Sequence, residues 1–155
     1  FECEYSYSLI CAGQSLHWMD WEGLFPKIKQ MLHNDGFIVL AKREVLGHPW
    51  TSRLKKLIPH YSTNQDFQPY DLVDELVARG LFVEHGRITT CAVPFEQSLE
   101  DYVESFHSSN GFSRDRMDEK SAAAFDKLVE DIVSKYSQDN IVTGEVRATV
   151  VWGKS

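Results

Sequence analysis

The stretch Tyr7–Leu40, YSLICAGQSLHWMDWEGLFPKIKQMLHNDGFIVL, decides how this chain is read. Tyr7–Ala12 is a short apolar run ending at Gly13, which can permit a tight turn; this is the pattern of a strand buried on both faces of a parallel sheet. Asp20 stands where a helix N-cap is wanted. Trp21, Leu24, Phe25, Ile28, Met31 and Leu32 then recur at helical spacing, with Glu22, Lys27, Lys29 and Gln30 outward. Pro26 inside that pattern removes a hydrogen bond, so the first turn is expected to stand apart from the rest. Asn34-Asp35-Gly36 ends the helix, with Gly36 free to take positive φ, and Phe37–Ala41 is a second buried strand. Strand, helix and strand in this order form one unit of a parallel sheet. Ligands of such sheets bind beyond the C-terminal ends of the strands, which is where the turn Gln14–Trp18 falls.

Outward from this unit the pattern continues. Residues 42–68 are irregular, with a helix expected at Pro49–Leu57. Pro69 suits a first helical turn, and Tyr70, Leu72, Val73, Leu76 and Val77 make an apolar stripe that stops at Gly80. Leu81–Val93 reads as a third strand, bent near Gly86. Ser98 can cap a helix to about His107, Ser108–Gly111 is loop, and a further helix runs from about Asp118 to Tyr136. Glu145–Trp152 alternates Val146, Ala148, Val150 and Trp152 with Arg147 and Thr149, as a strand with one wetter face does. The fold class is α/β, and residues 1–155 are expected to form a single domain without repeat or linker.

Composition narrows the function classes. The 155 residues are 43% hydrophobic and 25% charged, the balance of a globular chain with a core. The net charge of −7 argues against nucleic acid as partner. No apolar run reaches the roughly 20 residues that span a bilayer, so no membrane partner is expected. Cys3, Cys11 and Cys91 are odd in number and widely spaced, which suits reduced thiols and a cytoplasmic location. The six His and three Cys hold no CxxC or HExxH pair, so no metal is expected. The chain opens without Met and leads almost at once into a strand, which reads as a fragment.

The order strand, helix, strand, helix, strand, helical insertion, strand resembles strands four to seven of a class I S-adenosylmethionine-dependent methyltransferase. The most specific part is Ala12-Gly13-Gln14-Ser15-Leu16-His17-Trp18-Met19-Asp20-Trp21. It is similar to the segment after strand four in the small-molecule group that includes trans-aconitate methyltransferase, where a His-Trp pair follows the strand. Leu32-His33-Asn34-Asp35-Gly36-Phe37 resembles the approach to strand five, with Asn34-Asp35 where Pro-Gly is usual. Asp74–Phe82 is similar to the step from helix to strand six. The resemblance covers nearly the whole chain and implies a partial Rossmann-like sheet of order 4-5-7-6. Its last strand would be antiparallel, with residues 95–143 forming a helical lid insertion before it.

The resemblance implies S-adenosyl-L-methionine as cofactor, beside Ala12, Gly13, Gln14, Ser15, Leu16 and Trp18. It makes His17 the candidate catalytic residue, as orienter or base; histidine titrates near neutral pH and suits either task. The loop after the second strand, with Arg43, Glu44, His48 and Trp50, and the insertion would face the same crevice. Arg43, Tyr102, Phe106, Phe112 and Arg114 are therefore the substrate-side candidates, with His107 beside them, for a small-molecule methyl acceptor. The glycine-rich loop and the acidic residue that hold the cofactor in this family have no counterpart in the chain, so it is expected to be inactive alone. The competing expectation is a non-catalytic interaction or scaffold domain. Strand four normally pairs with strand one; here Tyr7–Ala12 would be an open apolar edge, which recruits partners. The partner would be a second copy, making a homodimer, or the missing N-terminal half. A third expectation is a different α/β enzyme that shares only the topology.

Overall fold

A computed structural model describes residues 6–66 and 68–155; Cys3 lies outside them. Their elements run β1 (Tyr7–Gly13), α1 (Trp21–Met31), β2 (Leu32–Val45), α2 (Thr51–Tyr61), α3 (Leu72–Ala78), β3 (Val83–Thr89), β4 (Val93–Ser98), α4 (Leu99–His107), α5 (Glu119–Val133) and β5 (Ile141–Lys154). A 3-10 turn over Leu16–Trp18 follows β1. The described residues form two compact units. The first holds residues up to Glu44, Pro69–Ala92 and Arg147–Ser155; the second holds Val45–Gln68 and Val93–Val146.

The strand order is β1-β2-β5-β3, the order 4-5-7-6 of the expectation. β1 and β2 are parallel, and β5 is antiparallel to β3. Ile10 faces Ile38, and Ala12 faces Leu40. These side chains join Leu16, Phe25 and Ile28 from the α1 side, and Leu76 and Phe82 from the α3 side, in the core of the first unit.

Several local expectations are corrected. β1 is not buried on both faces: Leu9 is 55% exposed and Cys11 is exposed. The reason is its place at the end of the strand path, where only Ile10 and Ala12 turn toward the core. Asn34-Asp35-Gly36 lies inside β2 and makes no positive-φ turn. Tyr7 pairs with Leu32 but Leu9 pairs with Phe37, so two steps on β1 match five on β2 and the three residues are taken up as a bulge. Gly36 is required there by packing, since an added Cβ would sit 2.9 Å from Leu32. α1 runs unbroken through Pro26. The carbonyl it leaves without a helical donor belongs to exposed Glu22, where water can serve. α3 starts at Leu72, after Pro69 and Tyr70, because the Asp71 side chain accepts from Val73 N and Asp74 N. It ends before Gly80, whose φ is +68°. The strand expected over Leu81–Val93 is β3 alone, which ends at Thr89, and a further strand, β4, begins at Val93; β3 pairs with residues 149–154 of β5, and β4 with residues 141–146.

The second unit is built on α2, α4 and α5. Phe125, Val129, Val133 and Val142 are at most 1% exposed, with Trp50, Leu54, Leu99, Phe112 and Met117 around them. Ser98 and Asp118 cap α4 and α5, their side chains accepting from Asp101 N and Ser121 N. No helix among the described residues is long and apolar enough to cross a membrane.

Candidate functional site

In the first unit the C-terminal ends of β1 and β2 lie side by side. Gly13 pairs with Ala41, and Gln14 N donates to the Ala41 carbonyl at 3.1 Å. Gln14 adopts φ +49°, the left-handed region that a non-glycine residue seldom enters. The sequence pointed to Gly13 as the permissive residue, yet Gly13 has ordinary φ and the strained position is the next one. Nothing lies within 4 Å of where a Gly13 Cβ would project, so the strand end is open there.

The turn that follows is anchored at one residue and exposed at the next three. Leu16 is 3% exposed and sits in the core. Its carbonyl accepts from Met19 N at 3.0 Å and from the Trp21 indole at 2.6 Å. Trp18 N donates to the Ser15 carbonyl at 3.1 Å. His17 is exposed, its ring 4.7 Å from that of Trp18. Trp18 is 63% exposed. Trp21 is the structural indole of the pair, with Tyr70 edge-on and the Arg79 guanidinium 5.0 Å over its ring.

Past Ala41, β2 carries Lys42, Arg43 and Glu44. Lys42 reaches Asp71 at 3.8 Å, and Glu44 accepts from Arg147 at 2.8 Å. Arg43 is exposed and has no ion-pair partner among the described residues. Strand alternation puts it on the face opposite buried Ile38 and Leu40. The structure thus brings Ala12, Gly13, Gln14, Ser15, Leu16, His17 and Trp18 together at one strand end, with Arg43 two residues beyond Ala41 on the neighbouring strand.

Tyr102, Phe106, Phe112 and Arg114 belong to the second unit, and each is engaged there. The Tyr102 hydroxyl accepts from the Trp50 indole at 2.9 Å. Burial pushes the Tyr102 phenol pKa up, against the smaller opposite effect of that bond. Phe106 packs edge-on against Tyr102 and Phe125. Phe112 is 7% exposed and stacks on Phe125 at 4.8 Å. The Arg114 guanidinium donates to Glu104 at 2.5 Å and to Asp126 at 3.2 Å. The Arg114 hydrogen bond holds the Glu104 carboxyl below its ordinary range. His107 is buried; Nδ1 donates to the Phe112 carbonyl at 2.6 Å, and Nε2 lies 2.6 Å from Asp126.

Two features escaped sequence reasoning. One is the left-handed Gln14, for which the residue type gives no signal. The other is the setting of His48, which the sequence placed only on a crevice-facing loop: its Nε2 is buried without a hydrogen-bond partner among the described residues. Its ring stacks on Trp50 at 4.4 Å and is nearly parallel to it, with an interplanar angle of 5°.

The chain matches no model of a known family and no curated protein sequence. Solved structures do match. A candidate type II methyltransferase from Anaeromyxobacter dehalogenans superposes with TM-score 0.57 at 11% identity, covering 96% of this chain and 63% of that one. A candidate methyltransferase from Bacillus halodurans follows at TM-score 0.49 and 6% identity, covering 99% of this chain and 67% of that one. A Haemonchus contortus phosphoethanolamine N-methyltransferase, solved with S-adenosylhomocysteine, has TM-score 0.36 at 11% identity, covering all of this chain and 35% of that one. This chain spans 63% of the Anaeromyxobacter protein's length, and its fold is similar to that of part of this methyltransferase.

Proposed function

We propose that this chain is part of an S-adenosylmethionine-dependent methyltransferase acting on a small molecule, without activity on its own. The observation that supports it is the open strand end at Gly13–Trp18 beside Ala41, in a fold shared with a methyltransferase. Ala12, Gly13, Gln14, Ser15, Leu16 and Trp18 would hold the cofactor, which supplies the activated methyl group. His17 would orient the acceptor or take its proton, and its exposure leaves it accessible. Arg43 would bind an anionic group of the acceptor through its unpaired guanidinium. The location is read as cytoplasmic, with no nucleic-acid or membrane partner. Calorimetric titration of S-adenosylhomocysteine into the chain tests this. Weak binding, with a dissociation constant above about 100 µM, that weakens further in Trp18→Ala supports it. Absence of heat at millimolar ligand counts against it.

A second reading is favoured by the exposure of β1, with Leu9 55% exposed at the end of the strand path. It is an interaction domain that pairs through this edge, with a second copy or with an N-terminal half. Sedimentation equilibrium decides: a concentration-dependent dimer abolished by Leu9→Lys supports it, and a monomer at every concentration removes the homodimer.

A further inference from the structure

His48 presents an unusual combination in the second unit. Its Nε2 is buried and has no hydrogen-bond partner among the described residues, and groups left in that state are rare in folded proteins. The ring is wedged on three sides. Trp50 stacks on it at 4.4 Å, and Tyr102 meets it edge-on at 5.9 Å. Gly144 makes the room: a Cβ there would lie 2.5 Å from His48 Cε1. The backbone is fixed as well, His48 N donating to the Thr51 hydroxyl at 2.9 Å.

We propose that His48 is an acid-sensitive wedge, whose protonation in place opens the His48–Trp50–Tyr102 cluster of the second unit. In the protonated ring both nitrogens carry an N–H, and the one at Nε2 has no acceptor among the described residues. Among the described residues no charged group compensates the ring, burial being the one influence on its titration. The start of α2 offers Trp50 and Thr51, and α4 offers Tyr102, whose phenol burial keeps in the neutral form. β5 offers Gly144, flanked by Thr143 and by Glu145, whose backbone carbonyl accepts from Leu46 N. Tyr136 reaches Trp50 from the segment after α5. The Trp50 face would favour a cation stacked on it, but burial outweighs this and pulls the His48 pKa below its ordinary value.

The sign follows. Unfolded His48 takes its proton near pH 6.5, and the folded ring only at lower pH. Above the unfolded value both states hold a neutral ring and the wedge is silent. Below it the unfolded or opened state binds the proton first, so the cluster loosens as pH falls. Trp50 and Tyr102 are joined by a hydrogen bond of 2.9 Å, so opening at His48 releases Tyr102.

The test follows the Trp50 indole N–H resonance of the whole chain from about pH 7.5 to about pH 5, identified by its loss in Trp50→Phe. The expected result is a shift and a loss of exchange protection with a midpoint below about pH 6.5, both absent in His48→Phe. His48→Gln, which cannot titrate in this range, serves as a second variant should the first fail to fold. A Trp50 resonance indifferent to pH in the wild type, or an equal transition in the His48 variants, overturns the proposal. Neither result depends on any ligand, so the wedge can fail while the methyltransferase reading stands.

Discussion

In the first unit Trp18 stands 63% exposed beside an exposed His17. In the second unit Trp50 is 3% exposed among His48, Tyr102 and Tyr136. The same residue types serve opposite ends. An indole left in water contributes little to folding and keeps a face free for a ligand. An indole packed among rings stabilises its unit and has no face to give. The difference separates a surface able to bind from a cluster able only to hold or release its own parts. On this view the ligand chemistry lies at Gln14–Trp18, and the aromatic density of the second unit is mainly structural.

The comparison breaks first if the second unit's rings contribute little to stability. Phe125, 1% exposed and in ring contact with Tyr61, Phe106 and Phe112, should lose about 3–5 kcal/mol on Phe125→Ala, read by denaturant unfolding. Gly144→Ala sharpens the account of His48. The added Cβ must displace the ring, and a loss of about 1–3 kcal/mol is expected, less in a His48→Ala background where the ring is gone. Asp71→Ala in the first unit should remove about 1 kcal/mol by uncapping α3, visible as a lower thermal midpoint.

Acid gives a smaller effect. Glu104 is exposed, and its carboxyl is held low chiefly by the Arg114 hydrogen bond. A carboxylate with a lowered folded pKa stabilises above its unfolded value and loses that contribution as pH falls through the folded one. The stability difference between wild type and Glu104→Gln should therefore be present at neutral pH and vanish well below pH 4 or so. The smallest effect is Trp18→Ala, within about 0.5 kcal/mol of wild type. A large loss there would remove the contrast between the two indoles.

Much of this was legible in the sequence, for identifiable reasons. Ile10, Ala12, Ile38 and Leu40 were legible as strand residues because their runs are too short for a helix and are bounded by Gly13 and by Asn34-Asp35-Gly36. The caps Asp71, Ser98 and Asp118 act where short polar side chains precede helical stripes, though only Ser98 was anticipated as a cap. The break between β3 and β4 was not legible. Thr90, Cys91 and Ala92 include no glycine or proline. The break follows from long-range pairing instead: Thr90 exchanges two hydrogen bonds with Ala148, 58 residues away. The left-handed Gln14 was hidden beside a glycine that looked the better candidate. His48 was named from its loop, but its slot could not be foreseen, because that depends on Gly144, far along the chain. The strand-end candidates were found because a strand and its turn are local. Tyr102, Phe106, Phe112 and Arg114 were named from chain order, which says which segment they occupy and not what they touch.

The measurement that tests the central claim most directly is residue-resolved NMR of the chain during addition of S-adenosylhomocysteine to millimolar concentration. The account predicts saturable shifts concentrated at Ala12–Trp18 and Ala41, with the Trp50 indole unmoved. An absence of shifts at the strand end, or shifts centred on Trp50 and Tyr102, would contradict it.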